Sequence, residues 1–558
     1  MTSHAPNGVS ASEPLYFVPL GGAGEIGMNL NLYAIGDEWL MVDLGVSFGD
    51  DAAPGVDVIM ADPSFIAERR DKLHGLVLTH AHEDHLGAIQ WLWPRLQCPV
   101  YATPFTASIL RRKLAETGLT KAVEINVVEL GSRFNVGPFD LELVTITHST
   151  LEPNCIAIRT PQGTVLHTGD WKFDDDPLVG GVTDEAKLRA LGDEGVLAMV
   201  CDSTNAMREG EAGSEADVRD SLMELVGGLD GRVAVACFAS NLARLHTLAE
   251  VALAHDRHPA LVGRSLRRMD EAARENGYLT DLPPFLSERD AGFLPRDNVM
   301  LICTGSQGEP RAALSRIISA SHPHVVLEEG DTVIFSSRVI PGNEKSINRI
   351  QNGLARLGVN IITERDHFVH VSGHPARDEL TRLYQMIRPK IAVPVHGELR
   401  HMQAHAELAG ACQVKQPVVV ENGDMLQLGP GMAQIVDEVP TGRLAVDGDR
   451  VIPLGSPVLK ERAKLAHNGS AVITLVMDGD GKLKGDPLMT LHGILDANVD
   501  DDLQLEGVDA VKRALADMTS KTRNDDGKII ETARIALRRA MRDLVQKKPT
   551  TDVHLVRV

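Results

Sequence analysis

The segment Thr79-His80-Ala81-His82-Glu83-Asp84-His85-Leu86-Gly87 carries four potential metal ligands within six residues. The apolar run Gly75–Thr79 before it reads as a buried strand, so the ligands sit on the loop that leaves the strand. Imidazole nitrogen and carboxylate oxygen both suit zinc, and so short a loop can aim them at two adjacent points. A lone histidine after a strand is usually structural. The HxHxDH spacing points instead to a fold that ends strands at a common metal floor.

Three further candidates end other strand-like runs: His148 in Thr145-Ile-Thr-His-Ser, Asp170 in His167-Thr-Gly-Asp-Trp, and His396 in Val393-Pro-Val-His-Gly-Glu. Together with His80, His82, Asp84 and His85 they supply seven ligands, enough for two metals that each keep an open position. Two divalent ions roughly 3.5–4 Å apart lower the pKa of a shared water and clamp charged oxygens, which suits a phosphodiester. Asp43 reads either as the group that orients a ligand histidine or as an acceptor for buried N–H groups.

Around these residues the chain changes texture twice. Strands are expected at Leu15–Leu20, Leu30–Ile35, Trp39–Val42, Ala122–Glu129, Asp140–Thr147, Cys155–Thr160, Thr164–Thr168 and Val196–Cys201, with a helix over 86–96. From about 215, helices at Val218–Leu229, Leu242–Ala254 and Leu266–Asn276 alternate with strands at Val233–Cys237, Val299–Cys303 and Thr332–Ser336. From about 360, short strands return at Val369–Ser372 and Ile391–Val395, as if one domain were interrupted by another. The tail has strands near 471–477 and 488–495. It also has a helix with Ile530, Ala533, Leu537, Met541 and Leu544 on one face.

These ligands resemble the metallo-β-lactamase superfamily. The resemblance implies that His80, His82 and His148 hold one zinc, that Asp84, His85 and His396 hold the second, and that Asp170 bridges them. Asp202 in Val-Cys-Asp-Ser-Thr-Asn, His374 and His396 match motifs A, B and C of the β-CASP group, the nucleic-acid branch of that superfamily. Within that group the chain is similar to the bacterial ribonuclease J family from about residue 15 to 450. The matching strings are Gly21-Gly-Ala-Gly-Glu-Ile-Gly-Met-Asn, Thr304-Gly-Ser-Gln-Gly-Glu-Pro, Ile340-Pro-Gly-Asn-Glu and His370-Val-Ser-Gly-His.

The implied fold is α/β: a metallo-β-lactamase αββα sandwich with an inserted βα-alternating β-CASP domain and a small α+β C-terminal domain. The expected bounds are a flexible N-terminus 1–14, the sandwich from 15–212 and 363–450, the insertion 213–362, a linker 451–465 and the C-terminal domain 466–558. The implied activity is zinc-dependent 5′-to-3′ exonuclease action on RNA with a 5′ monophosphate, plus endonuclease capacity, in rRNA processing and mRNA decay. Manganese or magnesium are further candidate ions. Asp84, Asp202 and His374 are the expected catalytic residues, Asp202 and His374 by orienting the phosphate or assisting the leaving oxygen. The resemblance makes His370, Val371, Ser372, Gly373 and His374 a phosphate cradle. Ser240 and Asn241, at a strand-to-helix turn, either add donors to a phosphate or simply cap the helix. A homodimer or homotetramer and an RNA-degrading assembly are implied by the family alone.

Charge argues against bulk nucleic-acid binding, since 56 basic against 77 acidic residues leave a net −21. A local arginine channel and two divalent metals answer that objection. Arg264, Arg267, Arg268, Arg338, Lys345 and Arg349 are candidates for such a channel, or else solvated helix faces. Phe238 and Phe368 are candidates for base stacking, or else core.

Six scattered cysteines without a CxxC pair, no leader-like start and no apolar run of roughly 18 residues point to a cytoplasmic protein without a membrane span. Gly22-Ala-Gly24-Glu-Ile-Gly27 mimics a dinucleotide fingerprint. The alternating run that follows, Asn29–Ile35, reads as a strand where that fold needs a helix. Near Asp447-Gly-Asp449 the expected glycine-rich continuation is missing, which leaves an accessory ion there in doubt. The rivals are a β-CASP nuclease acting on DNA, a small-molecule thioesterase or lactonase with no use for the insertion, and a non-catalytic scaffold with eroded ligands.

Overall fold

Alternating apolar residues at Leu15–Gly21, Leu30–Ile35 and Glu38–Val42 pair antiparallel, Leu15 opposite Ile35 and Leu32 opposite Met41. The computed structural model describes residues 12–49, 53–496 and 500–558. Most of the expected flexible N-terminus, residues 1–11, lies outside the described residues.

By contacts the chain forms two units, one running up to Ser47 and then over Met60–Gly442, the other comprising Phe48–Ile59 and Arg443–Val558. In the first unit, those three strands are the middle of an eight-stranded sheet. It runs from Gln434–Glu438 and Asp424–Gly429 on one side to Leu73–Val77, Val100–Ala102 and Ile125–Val127 on the other. A seven-stranded sheet faces it: Arg133–Val136, Phe139–Thr145, Asn154–Thr160, Gly163–His167, Val196–Asp202, Ile391–Val395 and Gln416–Pro417. Phe17, Tyr33, Val42 and Val77 from one sheet meet Phe139, Ile156, Val200 and Val393 from the other in a shared core. The outer face of the second sheet is covered by the helices Glu185–Glu194, Arg377–Ile387 and Leu399–Ala411 through Leu188, Leu383 and Leu408. This is the expected sandwich; His80, His82, His148, Asp170 and His396 follow strand ends within a few residues, and Asp84 and His85 lie on the short helix after His82.

Between the two halves lies a six-stranded, all-parallel sheet in the order Leu286–Ser287, His258–Val262, Val299–Cys303, Val233–Ala236, Thr332–Phe335, Asn360–Ile362. Its central strands are buried on both faces, as parallel sheets require, and it has its own core around Ala236, Leu301, Val333 and Leu354.

In the second unit Ser470–Met477 pairs antiparallel with Leu488–His492 and parallel with Thr550–Arg557. Ala471, Ile473, Leu475 and Met477 face the helices Asp501–Ala516 and Asp526–Val545.

Apart from shifts at element ends, such as the strand expected over Ala122–Glu129 that is Ile125–Val127, the structure departs from the sequence reading in four places. Val369–Ser372 is a loop, because side chains and not a neighbouring strand take its backbone groups. Ile529 rather than Ile530 joins Ala533, Leu537 and Met541 in the buried stripe, a repeat of four that keeps one helix face inward. The helix over 86–96 is two, Glu83–Leu86 and Ile89–Leu96. The segment 451–465 contains most of a strand, Arg450–Pro453, and of a helix, Pro457–Asn468. Among the described residues no helix is long and apolar enough to cross a membrane, and the six cysteines form no disulfide.

Candidate metal centre and phosphate loop

Asp43 ends its strand with φ 63, a left-handed conformation that turns its carboxylate under the histidine loop. One carboxylate oxygen accepts the Thr79 N–H at 2.8 Å, and the other accepts the Thr79 hydroxyl at 2.9 Å and His85 Nδ1 at 2.7 Å. Asp43 therefore does both things expected of it as alternatives. Gly45 lets the loop come close, since a Cβ there would fall 1.7 Å from the Asp84 carbonyl oxygen.

Three of the candidate ligand histidines are presented in one tautomer. His85 Nδ1 donates to Asp43, His148 Nδ1 donates to the Gly373 carbonyl at 2.5 Å, and His396 Nδ1 donates to Asn29 Oδ1 at 3.0 Å. Each is left with Nε2 turned to the cluster: that of His396 has no partner among the described residues, that of His85 lies 3.2 Å from both Asn29 Nδ2 and Asp170 Oδ2, and that of His148 lies 3.1 Å from His82 Nδ1. Asn29 also donates to the Asp84 carbonyl at 3.0 Å. His396 itself sits at φ 50, with its N–H on the Gly22 carbonyl at 2.6 Å.

Two ligand groups result: His80, His82, His148 and Asp170, and then Asp84, His85, Asp170 and His396. Within each, one ligand atom per residue lies within 4.8 Å of the others. All seven expected ligands converge, with Asp170 shared. The fit to cations is chemical as well as geometric. His80 Nε2, His82 Nε2, His396 Nε2 and Asp170 Oδ1 are buried without a hydrogen-bond partner among the described residues, a costly state that a bound ion relieves. Burial holds His80 and His148 well below the usual imidazole value and His82 down to about 4, so all three are neutral donors at pH 7. At His85 burial opposes charge, but Asp170, Asp84 and Asp43 outweigh it and raise the imidazole. Asp170 is buried too, yet His396, His85 and His374 keep it ionised.

A third group, Asp170, Asp202 and His374, adjoins the first two. Asp202 is fully buried and holds His374 Nδ1 at 2.7 Å. Burial disfavours charge on His374, but Asp202 and Asp170 push it up to about 9. It is therefore protonated at neutral pH.

His374 closes the loop His370–His374. Ser372 Oγ accepts from the His374 N–H at 3.1 Å and from Asn205 Nδ2 at 2.8 Å. Gly373 has no space for a side chain, since a Cβ would lie 2.8 Å from both His148 Cε1 and Ser149 Oγ. Val371 is buried. His370 Nδ1 is buried without a partner, and its ring is held well below the usual value by burial and then by Arg244, Arg338, Lys172 and Arg208. The field there is positive, as an anion would need.

Asn241 spends its side chain within the protein, Oδ1 capping the Arg244 N–H at 2.9 Å and Nδ2 on Glu215 at 3.1 Å, so capping is its role. Ser240 is half-buried at the same turn. Phe368 is 49% exposed and so is not core, whereas Phe238 is half-buried. Arg268 and Arg267 pair with Glu116 and Glu288, Arg338 reaches Asn205, and Lys345 and Arg349 are exposed. Asp447 is taken by Arg462 at 2.8 Å and Arg450 at 3.0 Å, an environment that disfavours an accessory cation. Sequence reasoning missed Asn29 as the partner of His396, although it ends the quoted glycine string. It also missed Asn205, which ends the quoted string around Asp202, and Lys172, Asp174, Glu215 and Arg244, which carry no motif.

Comparison with known proteins agrees with this geometry. Residues 28–235 match the metallo-beta-lactamase superfamily and 230–354 the ribonuclease J beta-CASP domain. Residues 358–415 match a Zn-dependent metallo-hydrolase RNA specificity domain, and 457–558 the ribonuclease J C-terminal domain. The chain is 44% identical to ribonuclease J of Sinorhizobium meliloti over 559 aligned residues, covering 99% of both chains. It is 38% identical to that of Mycolicibacterium smegmatis, covering 98% of both. A crystal structure of a protein of unknown function from Enterococcus faecalis shares the fold at TM-score 0.52 and 16% identity, over 75% of this chain and 100% of that one. The chain belongs to the ribonuclease J family and is a metal-dependent RNA hydrolase of metallo-β-lactamase and β-CASP build.

Proposed function

We propose that the enzyme is a 5′-to-3′ exonuclease on RNA with a 5′ monophosphate, with endonuclease capacity, acting in RNA maturation and decay. The observation that carries this reading is the Gly373–His148 contact, which sets a positively surrounded loop directly against a metal-ligand histidine. A terminal phosphate held by the backbone of His370–His374 and by Ser240 is then read beside the scissile bond.

His80, His82, His148 and Asp170 would hold one zinc, and Asp84, His85, Asp170 and His396 would hold the second. Manganese or magnesium can support activity in their place. When bound, the pair supplies a more acidic water and neutralises phosphate charge. A water oxygen forms the new bond to phosphorus as the bond to the departing 3′ oxygen breaks. Asp84, partly exposed at the site, takes the proton from the water. His374, held protonated by Asp202, gives its proton to the leaving oxygen. Phe368 stacks on a base near the loop.

We place the domain bounds at 15–212 with 363–450, 213–362 and 466–558, and the working form as a cytoplasmic homodimer or homotetramer, in an RNA-degrading assembly where one exists. The match to an RNA specificity domain favours RNA over DNA.

The test is cleavage of one RNA carrying either a 5′ monophosphate or a 5′ triphosphate, its first nucleotide labelled. Early release of labelled mononucleotide from the monophosphate form alone, abolished by a chelator, is expected. Intermediate fragments from both forms would make endonuclease action dominant, and absence of cleavage with zinc or manganese would favour a scaffold.

A further inference from the structure

Outside the ligand set, a second run of buried charge starts two residues after Asp170. Lys172, 1% exposed, pairs with Asp174 at 2.8 Å and donates to the Gly213 carbonyl at 3.0 Å. Asp174 accepts the Ser214 hydroxyl at 2.7 Å and the Glu215 N–H at 3.0 Å. Glu215 takes Arg244 Nε at 3.0 Å and Nη2 at 3.1 Å, a two-pronged pair between fully enclosed groups. Arg244, 0% exposed, then turns Nη1 to the Ser336 carbonyl at 3.1 Å and to the Val369 carbonyl at 3.0 Å. Ser336 Oγ also donates to the Val369 carbonyl, at 2.7 Å. Val369 is the residue before His370.

Removing a guanidinium and a carboxylate from water carries a desolvation cost that apolar packing would avoid. The pair therefore needs a reason other than stability, and its geometry supplies one. The Nη1 donor grips a backbone carbonyl at the start of the phosphate loop. Asn205 and His148 grip the far end of the loop at Ser372 and Gly373. Without Arg244 the near end loses its strongest anchor, while the metal ligands keep all of theirs.

We propose that the Arg244–Glu215 pair positions the phosphate loop through the Val369 carbonyl and so sets the preference for a 5′ monophosphate end without touching substrate. The proposal rests on the reading of His370–His374 as a phosphate loop. Arg244 is a positioning residue in this scheme, and the fork of its guanidinium is what a lysine cannot reproduce.

The test uses full-length, metal-loaded protein with Arg244→Met, Arg244→Lys and Glu215→Gln. Rates and KM are measured on 5′-monophosphate and 5′-hydroxyl RNA, beside hydrolysis of bis(4-nitrophenyl) phosphate, which presents no terminal phosphate. In Arg244→Met the preference for the monophosphate end falls about tenfold, through KM, the effect of losing the charge-assisted hydrogen bond that Arg244 makes to the Val369 carbonyl. Hydrolysis of the small diester stays close to wild type, and Arg244→Lys recovers part of the preference. A folded Arg244→Met that keeps the wild-type preference overturns the proposal, as does an equal loss on all three substrates. If Arg244→Met fails to fold, Glu215→Gln decides. It keeps the shape and one acceptor oxygen while removing the charge and replacing the other oxygen with a donor that faces Arg244 or Asn241, and an unchanged preference there overturns the proposal too. A wild-type enzyme indifferent to the 5′ end overturns the phosphate-loop reading and this inference together, whereas a discriminating wild type with discriminating variants overturns the inference alone.

Discussion

Gly373 is tolerated only as glycine, because a methyl group would collide with His148 and Ser149. Gly373→Ala is expected to cost about 1–3 kcal/mol of stability by overpacking and to displace the ring of a metal ligand, so bound metal per chain should fall with activity. His374→Ala should leave metal content intact, by elemental analysis, while lowering kcat by about 10²–10⁴-fold, the usual share of a proton donor. Asp174 shows the same logic in stability. Burial works against its charge, but Lys172 beside it holds the folded carboxyl below the ordinary value. The stabilisation is thus complete above the unfolded value near 4 and is lost as pH falls through the folded one. Asp174→Asn should melt well below wild type at pH 7, and the gap should narrow in melts taken below about pH 4. The seven residues that converge as candidate ligands were legible in the sequence because a short loop and three strand ends concentrate chemically distinctive residues. Arg244 was not legible: an arginine inside a helical pattern looks like any solvated one until the fold encloses it.

Strands and helices set where these residues stand. Central strands such as Leu30–Ile35, Val299–Cys303 and Ile391–Val395 were read to the residue, since apolar runs bounded by polar turns leave little choice of ends. The segment Val369–Ser372 was misread as a strand, for its β-branched and small residues favour extended backbone while long-range side chains, invisible locally, claim the Val369 carbonyl. The short element from Asp43 to Gly45 carries a further prediction. Asp43→Asn keeps the size but exchanges an acceptor for a donor facing His85 and Thr79, and zinc affinity measured by competition with a chelating dye should fall about 10–100-fold.

At the scale of the molecule, both metal groups belong to the unit that includes Met60–Gly442, while the second unit has a separate core around Ile473 and Leu537. A ligand stabilises only the unit that binds it. Calorimetry with and without a chelator should therefore show two transitions, of which only the larger moves. The first unit is also closed by residues far apart in the chain. Asn29 and His396, which hydrogen-bond to each other, are 367 residues apart in sequence. At the usual pace of about 5–20 residues per second, on the order of 20–70 s separates their emergence from the ribosome. Throughout that interval the growing polypeptide has its histidine loop but not its last ligand. A ribosome translating this message thus carries a nuclease that stays unarmed, beside the very transcript it could destroy, until most of the protein has been made.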